Sequence, residues 1–305
     1  MADSIGEVLV KCVPNFSHGR DPSVVEMIAQ AMREPANAYV LAWEWDEDHN
    51  RSVITAVGTP QAIVESGVRG IREGIRHIDP RVGAADVIPF VPLKGITLDA
   101  CADLAVEAGE RIWNELKIPV YLYGAAARRI ERRELGNIRK GGFEKLAREA
   151  LTNPDRAPDI GGPGRHSSAG ACIVGARKAL LAFNINLDTQ ALKIAQAIAR
   201  EIREANGGFR CVRALGVALA SRGLTQVTMN LTDYTETGLE EVYSAVHRLA
   251  KARDVEIVES EMIGLFPKAA LPRSPKETLK MTNFDESRVL ETRLSSVLGV
   301  ETPVE

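Results

Sequence analysis

Apolar and polar positions alternate over residues 7–13, a valine-rich run that predicts a first strand. Asp21 and Pro22 then open a helix, with Asp as the cap and Pro at the first helical position; Val24, Ile28, Ala31 and Met32 form its apolar face. Residues 38–45 and 51–58 read as two further strands, joined by the short acidic turn 46–50 as in a hairpin. Thr59 and Pro60 begin a second helix, with Ile63, Val64, Val68, Ile71 and Ile75 on one side, and residues 86–92 form a fourth strand. The order β-α-β-β-α-β is the split βαβ, or ferredoxin-like, arrangement. A helix over 98–116 and a strand over 120–123 extend it.

The pattern then returns. Residues 180–187 predict a buried strand, and Asp188 is expected to cap a helix carrying Leu192, Ala195, Ile198 and Ile202. Residues 211–219 and 224–231 are two strands turning at Ser221, Arg222 and Gly223. Thr237 and Glu240 have the spacing of a capping box for a helix reaching Arg253, and 255–260 closes the unit. The fold class expected is therefore α+β, with two tandem ferredoxin-like subdomains over residues 1–179 and 180–305 and a ligand groove between them. The segment 154–170, rich in Gly, Pro, Ser and Asp, is a long loop of the kind that is either functional or disordered. A tail with Pro272 and Pro275 leads to a last amphipathic helix over 287–298.

Composition narrows the function. Of 305 residues, 45% are hydrophobic and 26% charged, ordinary for a globular chain with a full core. The net charge of −3 and an aromatic content of 5% argue against a nucleic-acid surface. Cys12, Cys101, Cys172 and Cys211 are scattered without a Cys-x-x-Cys pair, so neither a metal site nor a redox dithiol is expected. The first residues are acidic and lack an apolar run, and no stretch approaches the ~20 apolar residues of a membrane span. These features lead to the expectation of a cytoplasmic protein, and the groove between the subdomains to that of a small-molecule ligand.

Several stretches in order resemble the formiminotransferase domain family along nearly the whole chain. They are CVPNFS at 12–17 with Gly19 and Arg20, HNRSV at 49–53, Pro80 and Arg81 with Gly83, Ala84, Asp86 and Val87, and PFVP at 89–92. PVYLYG at 119–124, Pro158 with Asp159, GARK at 175–178, AFNINL at 182–187 and QVTMNL at 226–231 complete the set. The resemblance implies two α/β subdomains around a ligand tunnel, a homodimer, and transfer of a formimino group from N-formiminoglutamate to N5 of tetrahydrofolate, the co-substrate. That chemistry needs a proton acceptor, donors for carboxylates and an acceptor for the pterin N–H groups.

The resemblance also implies a histidine directly before the Pro-Arg pair, as the base. Here the chain reads IRHIDPR at 75–81, so that short segment is missing and Asp79 stands before Pro80. His77, at the end of the second helix, is the nearest substitute; a helix-end histidine favoured by the dipole is the plainer explanation. Glu44 matches a carboxylate of the family's second strand, and His18 and Ala125 stand where the family has acidic residues. Glu44 and His77 are thus the catalytic candidates. The substrate and folate candidates are Asn15, His18, Arg51, Arg81, Tyr123 and Arg177, together with Gly161, Gly162, Gly164, Arg165, His166 and Gly170 of the GGPGRHSSAG loop at 161–170. That loop aligns with the family's folate-binding segment and lacks the Gly-Lys-Ser/Thr of a nucleotide-binding loop. Three readings follow: an active one-carbon transferase working on a formimino or formyl donor, a folate- or anion-binding homologue that has lost its base, or a groove recruited for unrelated chemistry by His18, Glu44 and His166 together.

Overall fold

The computed structural model describes residues 8–47, 49–78, 85–163, 166 and 169–299. The chain divides into two compact units between Arg177 and Lys178. Among the described residues, no helix is long and apolar enough to cross a membrane.

In the first unit the leading strand is interrupted. It runs as β1 (Leu9–Cys12) and β2 (Asn15–Phe16), broken at Pro14, which has no N–H to give to a ladder. Helix α1 (Pro22–Arg33) starts as its sequence predicts: Asp21 accepts a hydrogen bond from the Ser23 N–H, and Pro22 occupies the first turn. Strands β3 (Ala38–Asp46) and β4 (Arg51–Gly58) pair as a hairpin. Helix α2 (Pro60–His77) and strand β5 (Ala85–Lys94) complete the split βαβ unit, with β1 and β2 lying antiparallel between β4 and β5. Helix α3 (Leu98–Leu116), strand β6 (Val120–Gly124), the short helices α4 (Leu135–Ile138) and α5 (Gly142–Glu149), and strand β7 (Cys172–Ala176) follow. β7 inserts between β5 and β6, parallel to both. The helix-side core holds Val10, Cys12, Phe16, Ile54, Ile88 and Phe90 against apolar residues of α1, α2 and α3. Each such large side chain contributes roughly 1.5–3 kcal/mol by leaving water.

The second unit is a four-stranded antiparallel sheet in the order β11-β8-β10-β9. Its elements are β8 (Leu181–Leu187), α6 (Leu192–Ile202), β9 (Val212–Leu219), β10 (Leu224–Leu231), α7 (Leu239–Lys251) and β11 (Ile257–Ile263). Leu181, Phe183, Ile185 and Leu187 alternate into the core under α6 and α7. Helices α8 (Pro275–Leu279) and α9 (Leu290–Leu298) end the described chain. The other face of this sheet is polar. Asn186 donates to Glu259 (3.1 Å) and Glu261 (2.6 Å), Arg222 bonds both carboxylates, and Gln226 donates to Asn186 at 2.9 Å.

Two tandem ferredoxin-like units are thus the architecture, as the periodicity predicts. The local expectations fare unevenly. Asp188 does not cap α6: its N–H bonds to the Glu256 carbonyl, and the helix starts beyond Ala191 without a side-chain cap. Thr237 makes no capping box either, because its hydroxyl donates to the Arg210 carbonyl at 2.7 Å and α7 begins after Gly238. For Thr237 a tertiary partner engages the capping hydroxyl, whereas Asp188 simply lies too far before the first helical residue, Leu192, to cap it. Strand β7 and helices α4 and α5 were not anticipated from the sequence. The last helix begins at Leu290 rather than at 287, after a 3-10 turn over Glu286–Arg288.

Candidate functional site

The site is built on the face of the first sheet that points away from α1, α2 and α3. Strand register fixes its members. Glu44 and Asn15 each lie opposite Val53; Asn15 also lies opposite Val87, Val87 opposite Ile173, and Ile173 opposite Tyr121. Residues opposite one another project to the same side, and Phe16, Trp43 and Ile54, one position along, belong to the helix-side core. Glu44, Asn15 and Arg51 therefore share one strip of the sheet. At its far end, Tyr121, Tyr123 and Ile173 are covered by Ile138 of α4 and Leu146 of α5.

A carboxylate gathers cations at the rim of this face. Against β2, the register of β5 shifts between Ala85 and Val87, so Asp86 is an extra residue in a bulge-type irregularity. Such a bulge re-aims a side chain. Here Asp86 Oδ2 accepts from Arg51 Nη1 and, at 2.6 Å, from Arg139 Nη2. Arg156 fixes the turn that carries Arg139, donating to the carbonyls of Asn137 (3.0 Å), Ile138 (3.1 Å) and Lys140 (3.3 Å).

Tyr123 is enclosed, and burial pushes its hydroxyl pKa up against the opposing charge and hydrogen bond of Arg177. It stays a neutral phenol. Gly175 permits this packing: a Cβ there would lie 2.2 Å from the Tyr123 carbonyl oxygen and 2.4 Å from its ring carbon Cδ1. Burial pushes the neighbouring Cys12 thiol up to about 12, with Arg177 pulling the other way, so it is no nucleophile at neutral pH.

The sequence candidates distribute unequally. Glu44, Asn15 and Arg51 share one strip of a sheet face, and Tyr123 lies on the same face at the opposite edge strand, β6. His18 follows β2, and among the described residues its Nε2 and the adjacent Ser17 Oγ are buried without a partner; Ser52 Oγ is likewise unpartnered but lies opposite Phe16, on the helix side. His77 is elsewhere. It ends α2 in the helix layer, on the opposite side of the sheet from Glu44, with Nε2 2.8 Å from Glu73 Oε1. Arg81, Gly164 and Arg165, with Asp79 at the family's base position, lie outside the described residues.

In the glycine-rich loop, Gly161 has φ +94°, and a Cβ there would come within 2.5 Å of the Trp113 ring, so chain geometry and packing already require glycine. Gly162 has no such close contact. His166 and Gly170 bond reciprocally, at 2.8 and 3.1 Å, and His166 Nδ1 accepts from the Ala169 N–H at 3.1 Å, which leaves the ring proton on Nε2 when neutral. The sequence does not single out Asp86, although it stands in a matched motif, or Arg139, which lies in a stretch given no element; only the fold brings the two into contact.

Two split βαβ units in series, the first extended by a parallel pair and carrying a polar sheet face, define the class: a tandem ferredoxin-like α+β protein. Residues 9–177 match the formiminotransferase domain, N-terminal subdomain, and residues 182–290 match the formiminotransferase domain. The chain belongs to the formiminotransferase domain family. It is 40% identical over 302 residues to glutamate formimidoyltransferase of Thermoplasma acidophilum, covering 96% of this chain and 99% of that one. It is 38% identical over 295 residues to glutamate formimidoyltransferase of Streptococcus pyogenes serotype M1, covering 94% and 98%. Against formimidoyltransferase-cyclodeaminase of Sus scrofa it is 39% identical over 277 residues, 86% of this chain and 51% of the relative.

Proposed function

We propose that this protein is a folate-dependent one-carbon transferase that moves a formimino group from an N-formimino amino acid, or a formyl group from the corresponding donor, to N5 of tetrahydrofolate. The observation that carries this is the 40% identity to a glutamate formimidoyltransferase across both units. In the reaction N5 attacks the formimino carbon, the N5 proton passes to a base, and the bond to the amino-acid nitrogen breaks as that nitrogen takes a proton. Glu44, on the polar face with Asn15 and Arg51, is the base we assign; His77, held by Glu73 on the other side of the sheet, is the alternative. Among the described residues, the unpartnered buried atoms of Ser17 and His18, which follow β2, support a polar ligand beside them, because a buried unpaired group costs about 1–3 kcal/mol until something satisfies it. The loop around Gly161, Gly162, His166 and Gly170 would meet the folate, and Arg51, Tyr123 and Arg177 the donor.

Steady-state transfer to tetrahydrofolate tests the reading. Glu44→Gln is expected to lower kcat about 100-fold or more and His77→Ala to leave it within a few-fold; the reverse result moves the base to His77. One observation favours a second reading: no histidine stands directly before Pro80. A homologue that binds without turnover would give tetrahydrofolate binding by calorimetry and no transfer at any enzyme concentration. The family reading also carries a cytoplasmic location and a homodimer, which fractionation and light scattering check.

A further inference from the structure

We propose that Asp86 assembles Arg51 and Arg139 into a two-guanidinium clamp for a carboxylate-bearing ligand, with Asp86 as the positioning residue and Arg139 as a binding residue of the site. The inference rests on the proposed function for its reaction but is argued from geometry.

A guanidinium carries five donors in a rigid fork. Among the described residues, Arg51 and Arg139 each spend one of theirs on the same oxygen, Asp86 Oδ2. Structural arginines of this unit look different. Arg132 bonds Asp159 and the carbonyls of Asp155 and Ala157, and Arg156 bonds Glu149 and three carbonyls. Arg51 and Arg139 are 39% and 41% exposed while Asp86 is only 13% exposed, so the carboxylate is covered and both arginine side chains remain partly accessible.

Within the trio two guanidinium groups meet one carboxylate; Asp46, opposite Arg51 across the hairpin, and Glu44 on the same strip are the other charges of this face. The pieces are preorganised. Asp86 is set by the irregularity in β5, and the turn bearing Arg139 is pinned by Arg156 through carbonyls on both sides of it. A planar anion accepting two N–H groups from each fork fits such an arrangement, and a carboxylate does so bidentately. Two sources offer that chemistry: the dicarboxylic amino acid of the donor, and the glutamyl tail of the folate.

Calorimetry on the full-length protein decides, using N-formyl-L-glutamate, tetrahydrofolate and the tail-less 6-methyltetrahydropterin. Arg139→Gln is expected to weaken either the dicarboxylate or tetrahydrofolate by about tenfold to hundredfold, leaving 6-methyltetrahydropterin unchanged. Weakening of N-formyl-L-glutamate alone assigns the clamp to the donor; weakening of tetrahydrofolate alone assigns it to the tail. Arg139→Lys, which keeps the charge but not the fork, is expected to recover part of the loss, and Asp86→Asn to weaken the same ligand as Arg139→Gln. Circular dichroism confirms folding, and if Arg139→Gln does not fold, Arg139→Lys against wild type carries the comparison. Equal affinities in wild type and variants overturn the clamp, as does wild-type protein that binds neither carboxylate ligand. A transfer assay with wild-type protein reads the proposed function separately.

Discussion

Arg132 and Asp159 form an enclosed ion pair, 7% and 4% exposed and 2.5 Å apart. Asp159 also accepts the Leu122 N–H at 2.8 Å, and Arg132 lies over the Tyr121 ring. Together they tie the chain after α5 to strand β6. Asp159→Asn leaves the buried guanidinium without its charge partner and is expected to cost about 3–5 kcal/mol in urea-induced unfolding. The same scale governs the thiols. Burial pushes Cys12 up to about 12, Cys101 up to about 11 and Cys172 higher still, so all three remain protonated at neutral pH. Cys211 alone of the four is partly exposed. A thiol-disulfide reagent at pH 7.5 should therefore label Cys211 in the native protein and the other three only after unfolding. Rapid native labelling of Cys12 would contradict the burial of β1.

Between elements, charge joins what apolar packing brings together. Glu34 after α1, Glu65, Arg69 and Arg72 of α2, and Arg111 and Glu115 of α3 form a chain of ion pairs across three helices. The hydrogen bond from Arg69 holds the Glu65 pKa below its ordinary 4.5, with Arg111 adding to it. In the second unit the hydrogen bond from Lys178 does the same to Asp233, below 3.8. A depressed carboxylate pKa means the unfolded chain binds protons first, so this stabilisation is present above the ordinary value and is lost as pH falls through the folded one. Melting temperature should thus drop as pH is lowered from about 4.5, and Glu65→Gln should flatten part of that drop while costing about 1 kcal/mol or less at pH 7. An unchanged pH profile in Glu65→Gln would remove Glu65 from the account.

At the scale of the whole molecule, each unit closes its own core. Leu181, Phe183, Val227 and Met262 pack with residues of the second unit alone. A fragment spanning 178–302 is expected to fold by itself with one cooperative transition, seen as dispersed amide resonances and a single denaturant midpoint. A fragment that stays unfolded would mean that its stability is borrowed from residues 1–177.

The strands and main helices were legible because a period of 2 or 3.6 is written in local order and needs no partner to be read. That is why residues 51–58, 181–187 and 224–231 were placed almost to the residue, and why the motif stretches pointed to a family. β7 was not legible: its five residues are buried between two parallel neighbours, and a short run of that kind has no polar alternation to mark it. The cap predicted at Thr237 failed because the distant Arg210 carbonyl took its hydroxyl, and the one at Asp188 because α6 starts only at Leu192. For the site, sequence supplied Glu44, Asn15, Arg51 and Tyr123 as members of separate motifs, but their presence on one sheet face follows from register, a pairing between strands far apart in the chain. Sequence also proposed His77 for its nearness to Pro80, and the sheet itself separates His77 from Glu44. Arg139 joins Asp86 across 53 positions of chain through a bulge and a pinned turn. The order of residues thus determined the elements and the family, whereas which charges meet was decided only by the tertiary fold, because electrostatic contact depends on distance in space and not along the chain.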